Sequence, residues 1–402
     1  MVKPRIFINI HYLEIGGAET SLIGLLQALA PKRVDVDLFL NDHRGEMMTY
    51  SPNGVNVLPS YKAYMMIERP IKEVIKAGYI HIALARLWAK IRFWLYARKK
   101  HPIDGSAILG YVNRCVMPLL PSLKHFGKYD LAIAFLPPYG VVANKVQAKK
   151  KICWIHTDYK QIDVNKKVEL AVWSKYDNVV SISSEVTRIF CEIFPNIRNR
   201  VIEIENILSP KFIKQRAEQI IFPSDMLKIE KGYTILTIGR YSYPKKLDEI
   251  PKICRYLVER KLKIRWYIIG YGGSDEYIRH AIHREGMENN VVLLGKRSNP
   301  YPYIKMCDWY IQPSRYEGKS VAVREAQMLG KPVIVTAYPT ASSQVNNGVD
   351  GIIVPLPVKA CADAIAAALT DYSLKKTIIE YLSVHDYGNE SEVNKIYGLI
   401  SC

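Results

Sequence analysis

Short runs of β-branched and apolar residues alternate with helical patterns along the whole of this 402-residue chain, and that alternation permits few folds. A strand buried on both faces reads as a continuous apolar run, and a helix between consecutive strands lets them lie parallel. In the first half the pattern predicts strands at Arg5 to Ile10, Val34 to Leu40, Val55 to Leu58, Leu131 to Leu136, Lys151 to Ile155, Asn178 to Ile182 and Val201 to Ile204. In the second half it predicts Thr234 to Ile238, Ile264 to Ile269, Val291 to Leu294, Trp309 to Gln312, Pro332 to Thr336 and Gly351 to Val354. The expected architecture is α/β, with two doubly wound Rossmann-like units in series, each a parallel sheet covered by helices on both faces.

The segment Asn206-Ile207-Leu208-Ser209-Pro210 closes the first pattern, which puts the hinge near Ser209 and the units at 1–208 and 209–384. A helix over 385–402 is expected to cross back to the first unit. With 49% hydrophobic residues the chain can fill two cores. The formal net charge of +18 calls for an anionic partner, whether nucleic acid, acidic lipid or a phosphorylated substrate. The usual nucleic-acid-binding motifs do not occur, so nucleic acid is not expected. Seven scattered cysteines without a C-x-x-C pair argue against a disulfide framework or a zinc site and fit a reducing cytoplasm. The N-terminus reads directly into a strand rather than a signal peptide, and no apolar run approaches the roughly 20 residues of a spanning helix. A soluble protein, or one lying on the inner face of a membrane, is expected.

Chemistry concentrates where strands end. Glu317 follows the run Trp309 to Gln312 and the turn Pro313-Ser314-Arg315-Tyr316, and Glu325 sits in the next helix, expected from about Ser320 to Gly330. Two carboxylates so placed can line one cleft and suit a polyol ligand. Free N–H groups around Lys319, Ser320 and Val321, after Gly318, would accept a diphosphate at the positive end of the helix dipole. Gly239-Arg240 ends another strand, with Lys245 and Lys246 in the following loop; such cations can neutralise a leaving diphosphate. Gly16-Gly17 permits a tight turn between the first strand and its helix, and His156 lies at a strand's carboxyl end. Each has a structural alternative: a capped surface helix, a solvated basic loop, a helix-entry turn, a satisfied loop histidine. Gly270-Tyr271-Gly272-Gly273 lacks the dinucleotide spacing and reads as a turn, and Asp35-Val36-Asp37 reads as structural within a strand.

Taken in order, these segments resemble the family 4 glycosyltransferases of the GT-B fold, whose two Rossmann-like domains face each other across a cleft. The resemblance runs from Gly16-Gly17-Ala18-Glu19 through His156, Tyr176-Asp177, Ser183, Phe194-Pro195 and Asn206, and is densest from Gly239 to Gly351. It includes Lys245, Ile269-Gly270, Leu294-Gly295, Cys307-Asp308, Pro313-Ser314, Glu317-Gly318, Glu325-Ala326 and Gly330-Lys331-Pro332-Val333-Ile334. It implies a retaining hexosyltransferase of surface polysaccharide assembly with a UDP- or GDP-linked sugar as donor and neither cofactor nor metal. On that implication Arg240 and Lys245 hold the donor diphosphate, Glu325 the ribose, and Glu317 faces the sugar. His156 would lie near the reaction centre, and Gly16 and Gly17 would close over the phosphates. The chain departs from the family at Pro339 to Gln344, where a Gly-Gly and a Glu are usual, and at Lys246, where glycine is common. The rival readings are an epimerase or hydrolase of the same fold, and a non-catalytic subunit that binds nucleotide sugar.

From Ile80 to Leu95, apolar residues recur at helical spacing and Arg98-Lys99-Lys100 follows. The stripe either packs on the first sheet or docks on an anionic leaflet. Docking would suit a polyprenyl-diphosphate-linked saccharide as acceptor.

Overall fold

The computed structural model describes residues 3–29, 33–102, 105–160, 162–219 and 223–401. It divides into two compact units, Met1–Leu208 with Glu390–Cys402, and Ser209–Asn389. Return to the first unit begins at Glu390 rather than His385. Tyr387 is held in the second unit, where its hydroxyl donates to Asp350 at 2.9 Å and Arg324 lies 4.6 Å over its ring.

Each unit is built on one parallel sheet. The first contains β1 (Arg5–Ile10), β2 (Asp35–Leu40), β3 (Val55–Val57), β4 (Lys128–Ala134), β5 (Gln147–Ile155), β6 (Asn178–Ser181) and β7 (Val201–Glu203). Their spatial order is β3-β2-β1-β4-β5-β6-β7. The second contains β8 (Tyr233–Ile238), β9 (Ile264–Ile269), β10 (Val291–Gly295), β11 (Trp309–Gln312), β12 (Val333–Thr336) and β13 (Ile352–Val354), ordered β10-β9-β8-β11-β12-β13. All the strands expected from the sequence form. Two begin earlier than their apolar runs suggest: β4 starts at Lys128 and β5 at Gln147, because polar residues there extend the ladder between the two strands, with Lys128 opposite Gln147. Hydrophobicity reports burial, whereas a ladder can run beyond the buried stretch.

In each sheet the strand order reverses between neighbours, at β1/β4 and at β8/β11. Chain connections leave such a point in opposite directions and open a crevice at the strands' carboxyl ends, where ligands of open α/β sheets bind. Packing and buried hydrogen bonds hold each sheet together. The second unit closes its core with Trp266, Trp309, Ile268, Ile311 and Leu257, and the buried Trp266 indole donates to Thr237 Oγ1 at 2.9 Å. In the first, Asp37 accepts from Arg5 at 2.7 Å, Tyr129 at 2.7 Å and Asn56 at 2.7 Å, tying β1, β2, β3 and β4 together. Asp37 therefore serves the sheet, while Asp35 is exposed at the start of β2.

The basic stretch forms one helix, Ile80–Lys100. Its packed side is Ile82, Ala83 and Ala89, with Phe93 and Tyr96 against Tyr111 and Val168. Ile80, Leu84, Leu87, Trp88, Ile91 and Leu95 are exposed, so the apolar stripe does not pack on the sheet.

Candidate functional site

The switch point of the second unit carries the charged groups. After β8 the chain passes Gly239-Arg240 and turns so that Lys245 reaches the loop after β11, where its Nζ lies 2.6 Å from Glu317 Oε1. Gly239 makes room: a Cβ there would come 3.3 Å from Lys245 Cδ. Gly270 is tighter still, since a Cβ there would lie 1.9 Å from the Gly239 carbonyl oxygen. The glycine turn after β9 therefore braces the loop that carries Arg240 and Lys245.

Glu317 is held from behind by a polar chain. Tyr310 donates to Gln312 at 2.7 Å, Gln312 to Ser314 at 2.9 Å, and Ser314 to Glu317 Oε1 at 2.7 Å. These residues alternate along β11 and its continuation, so they share one face, and all three are buried. Thr340 Oγ1 donates to the Glu317 carbonyl at 2.9 Å. Arg315 fixes the facing loop by donating to Asp248 at 2.9 and 2.8 Å and to Glu249 at 2.8 Å, with its guanidinium 4.2 Å over Tyr243. Fixed hydrogen bonds on both sides preorganise the Lys245–Glu317 pair before any ligand arrives.

The helix Val321–Met328 follows Ser320 and Gly318, but its entrance differs from expectation. The Ser320 N–H donates to Gln344 Oε1 at 2.9 Å, so it is not free for a diphosphate. Gln344 belongs to the Pro339 to Gln344 loop, the segment in which the sequence departs from the family pattern. Lys246 is corrected as well. It is buried with φ +56°, its ammonium donates to the Leu356 carbonyl and lies 3.0 Å from Glu249, and so it braces the loop instead of adding charge at the mouth. Arg240, by contrast, is exposed, and among the described residues its guanidinium has no hydrogen-bond or ion-pair partner. Gly318 and Lys319 are half-buried at the helix entrance.

Glu325 is buried at 4% exposure and accepts a 2.9 Å hydrogen bond from Tyr301. Burial pushes its pKa up to about 7, opposed by the tyrosine hydroxyl. The two glutamates occupy different environments: Glu317 is paired with a cation, whereas Glu325 sits at the edge of neutrality.

In the first unit, Gly16 is the extended residue that starts the helix Gly17–Ala28. The Glu19 carboxylate folds over it, since a Cβ on Gly16 would lie 2.2 Å from Glu19 Oε2, and Glu19 Oε1 lies 3.9 Å from His11 Nε2. His156 follows β5. Its Nε2 is 3.1 Å from the Phe135 carbonyl, which makes Nε2 the donor and Nδ1 the acceptor. Burial pushes its pKa down to about 4 against the Phe135 carbonyl and the Asn206 side chain, so the ring is neutral near pH 7.

Lys245 and Glu317 thus meet at the switch point, Arg240 follows the end of β8 in the chain, and Gly318 to Ser320 lead from Glu317 into the helix that bears Glu325. Sequence reasoning passed over Tyr310, Gln312, Arg315, Thr340 and Gln344. The alternation of polar residues at 310, 312 and 314 through an otherwise apolar run was a readable sign of one functional face. Nothing local marked Gln344, whose partner lies 24 positions away.

Residues 220–383 match the family Glycosyl transferases group 1, so the second unit carries a domain of that class. One relative is the capsular polysaccharide biosynthesis glycosyltransferase CapM of Staphylococcus aureus, 28% identical over 37% of this chain and 40% of its own length. A second is the GDP-mannose:cellobiosyl-diphosphopolyprenol alpha-mannosyltransferase of Xanthomonas oryzae pv. oryzae, 24% identical over 69% of this chain and 76% of its own. The chain spans about half, or less, of the length of the curated relatives it matches first. Among solved structures, a point mutant of S. aureus TarM in complex with fondaparinux, alpha-GlcNAc-glycerol and UDP superimposes with a TM-score of 0.67 at 14% identity, covering 99% of this chain and 100% of that one. Two Rossmann-like units of this order are the GT-B architecture.

Proposed function

We propose that the chain transfers a sugar, with retention of anomeric configuration, from a UDP- or GDP-linked donor to a saccharide or polyprenyl-diphosphate-linked saccharide in surface polysaccharide assembly. The observation that carries this reading is the preorganised Lys245–Glu317 pair, with the exposed Arg240 at the end of β8, at the switch point of a unit that matches Glycosyl transferases group 1. The names of the capsular and diphosphopolyprenol-dependent relatives support the acceptor class.

In the proposed reaction the bond between the anomeric carbon and the diphosphate oxygen breaks. Arg240 and Lys245 take up the charge that appears on the leaving diphosphate, which is where a preorganised cation lowers the barrier most. The acceptor oxygen attacks the same face of the sugar and passes its proton to the departing diphosphate. When the donor enters, Lys245 exchanges Glu317 for phosphate, and Glu317, still held by Ser314, turns to a sugar hydroxyl. Glu325 accepts from the ribose, and the helix entrance at Gly318 to Ser320 borders the diphosphate. His156, neutral and fixed in one tautomer, acts as a hydrogen-bonding group rather than as a charged acid.

The test is a screen of UDP- and GDP-sugars with saccharide and polyprenyl-diphosphate acceptors, scoring nucleotide release and product together, with NMR of the product anomer. Acceptor-dependent release with a retained anomer is expected. Release without acceptor, or donor binding without turnover by any combination, would overturn the reading.

A further inference from the structure

The helix Ile80–Lys100 has an outer face that the first unit does not use. Leu84, Leu87, Trp88, Ile91, Trp94 and Leu95 are between 41% and 60% exposed and recur at helical spacing over about 17 Å of axis. Isolated exposed apolar residues are ordinary on a protein surface; a contiguous stripe of large ones marks an interaction surface. The helix cannot hide this stripe by rolling over, because its opposite side is fixed. Ile82, Ala83 and Ala89 are buried, and the Arg86 guanidinium donates to the Met66 carbonyl at 2.9 Å and to that of Arg69.

Charge selects the occupant. The helix contains no aspartate or glutamate, while Lys90 flanks the stripe and Arg98, Lys99 and Lys100 continue from its end, all exposed. The Arg98 guanidinium lies 4.3 Å over the Trp94 ring, joining cation and aromatic face into one surface. A second copy of the chain would bring the same cations to its partner with no acid on the helix to answer them. A leaflet of anionic lipid supplies both requirements at once: acyl chains for the stripe and phosphates for the rim. No helix among the described residues is long and apolar enough to cross a membrane.

We propose that this face docks on an anionic membrane leaflet, with Trp88 and Trp94 at the headgroup boundary and Lys90, Arg98, Lys99 and Lys100 on lipid phosphates. The inference is independent of the sugar-transfer reading, because lipid binding is measured without donor or acceptor and a failure of either leaves the other standing.

The chain supplies its own probe. Of its tryptophans, Trp154, Trp173, Trp266 and Trp309 are fully buried, so contact quenching at a surface reads Trp88 and Trp94. At low salt, the full chain should float with phosphatidylglycerol vesicles and be quenched when their acyl chains are brominated. Binding to phosphatidylcholine should be about tenfold weaker, and raised salt should release the protein. The combined Leu84→Ser, Trp88→Ser and Ile91→Ser variant should keep its melting temperature and lose about tenfold or more in vesicle affinity. Lys90→Glu with Lys99→Glu should abolish the preference for phosphatidylglycerol. Failure of the parent chain to float at low salt would overturn the proposal, as would variants that float equally well. A dimer in sedimentation that the serine variant dissociates, without any flotation, would assign the face to a second copy instead.

Discussion

Both units present side chains at the carboxyl ends of parallel strands, yet they treat charge in opposite ways. In the second, Lys245 and Glu317 touch at 2.6 Å, with Arg240 exposed close by in sequence. In the first, His156 is kept neutral, its pKa pushed down to about 4 by burial, and its Nε2 is committed to the Phe135 carbonyl. The same topology therefore yields an electrostatic site in one unit and a fixed hydrogen-bonding site in the other. Fold places the groups; solvent access and neighbouring dipoles decide what each can do.

The sharpest way to break that contrast is to remove the cation. Lys245→Ala should lower kcat by about a hundred- to a thousandfold in steady-state assays with the donor identified by screening, the range seen when one preorganised group is lost from a developing charge. A loss confined to KM would show that Lys245 only binds substrate.

Next in size is the ionisation of Glu325. Its pKa of about 7 lies above the ordinary value of 4.5, so between those values the native state holds a proton that the unfolded chain has released. Stability contributed by the neutral form is present below about pH 4.5, falls as pH rises, and is gone above about pH 7. Glu325→Gln keeps an acceptor for Tyr301 and removes the titration. In urea melts its stability relative to the parent should rise by roughly 3 kcal/mol between pH 4.5 and pH 8. A pH-independent difference would place the proton elsewhere.

Glu317→Gln probes the pair from its other end. Turnover should fall roughly ten- to a hundredfold, with nucleotide affinity by calorimetry unchanged or higher, because Lys245 loses the carboxylate that competes with phosphate. Equal losses in turnover and affinity would make Glu317 a ground-state binding group. The smallest effect belongs to the loop outside the family pattern. Gln344→Ala leaves the buried Ser320 N–H without its acceptor and should cost about 1–2 kcal/mol in denaturant melts. No change there would mean that water replaces the glutamine.

The fold was legible because burial on both faces writes itself into a strand as an apolar run, and thirteen of these runs in two sets leave little choice of architecture. The site was legible in part. Arg240, Lys245 and Glu317 stand at strand ends, where position alone suggests a role, and the structure brings Lys245 onto Glu317. Lys246 misled: adjacent lysines look alike in sequence, but the left-handed turn at 246 sends one side chain inward to Leu356 and Glu249. The free helix entrance misled for another reason, since its occupant, Gln344, arrives from a different loop.

By itself, then, the sequence determined the order of strands and helices, the two units, the charged positions near the switch point and the existence of a basic apolar stripe, all of which follow from local periodicity and composition. Only the tertiary structure decided which lysine meets Glu317, which glutamate is pushed toward neutrality, which backbone N–H is already occupied and which way the stripe of the helix Ile80–Lys100 faces. Those outcomes depend on burial and on partners far apart in the chain, and a pattern read along the sequence carries neither.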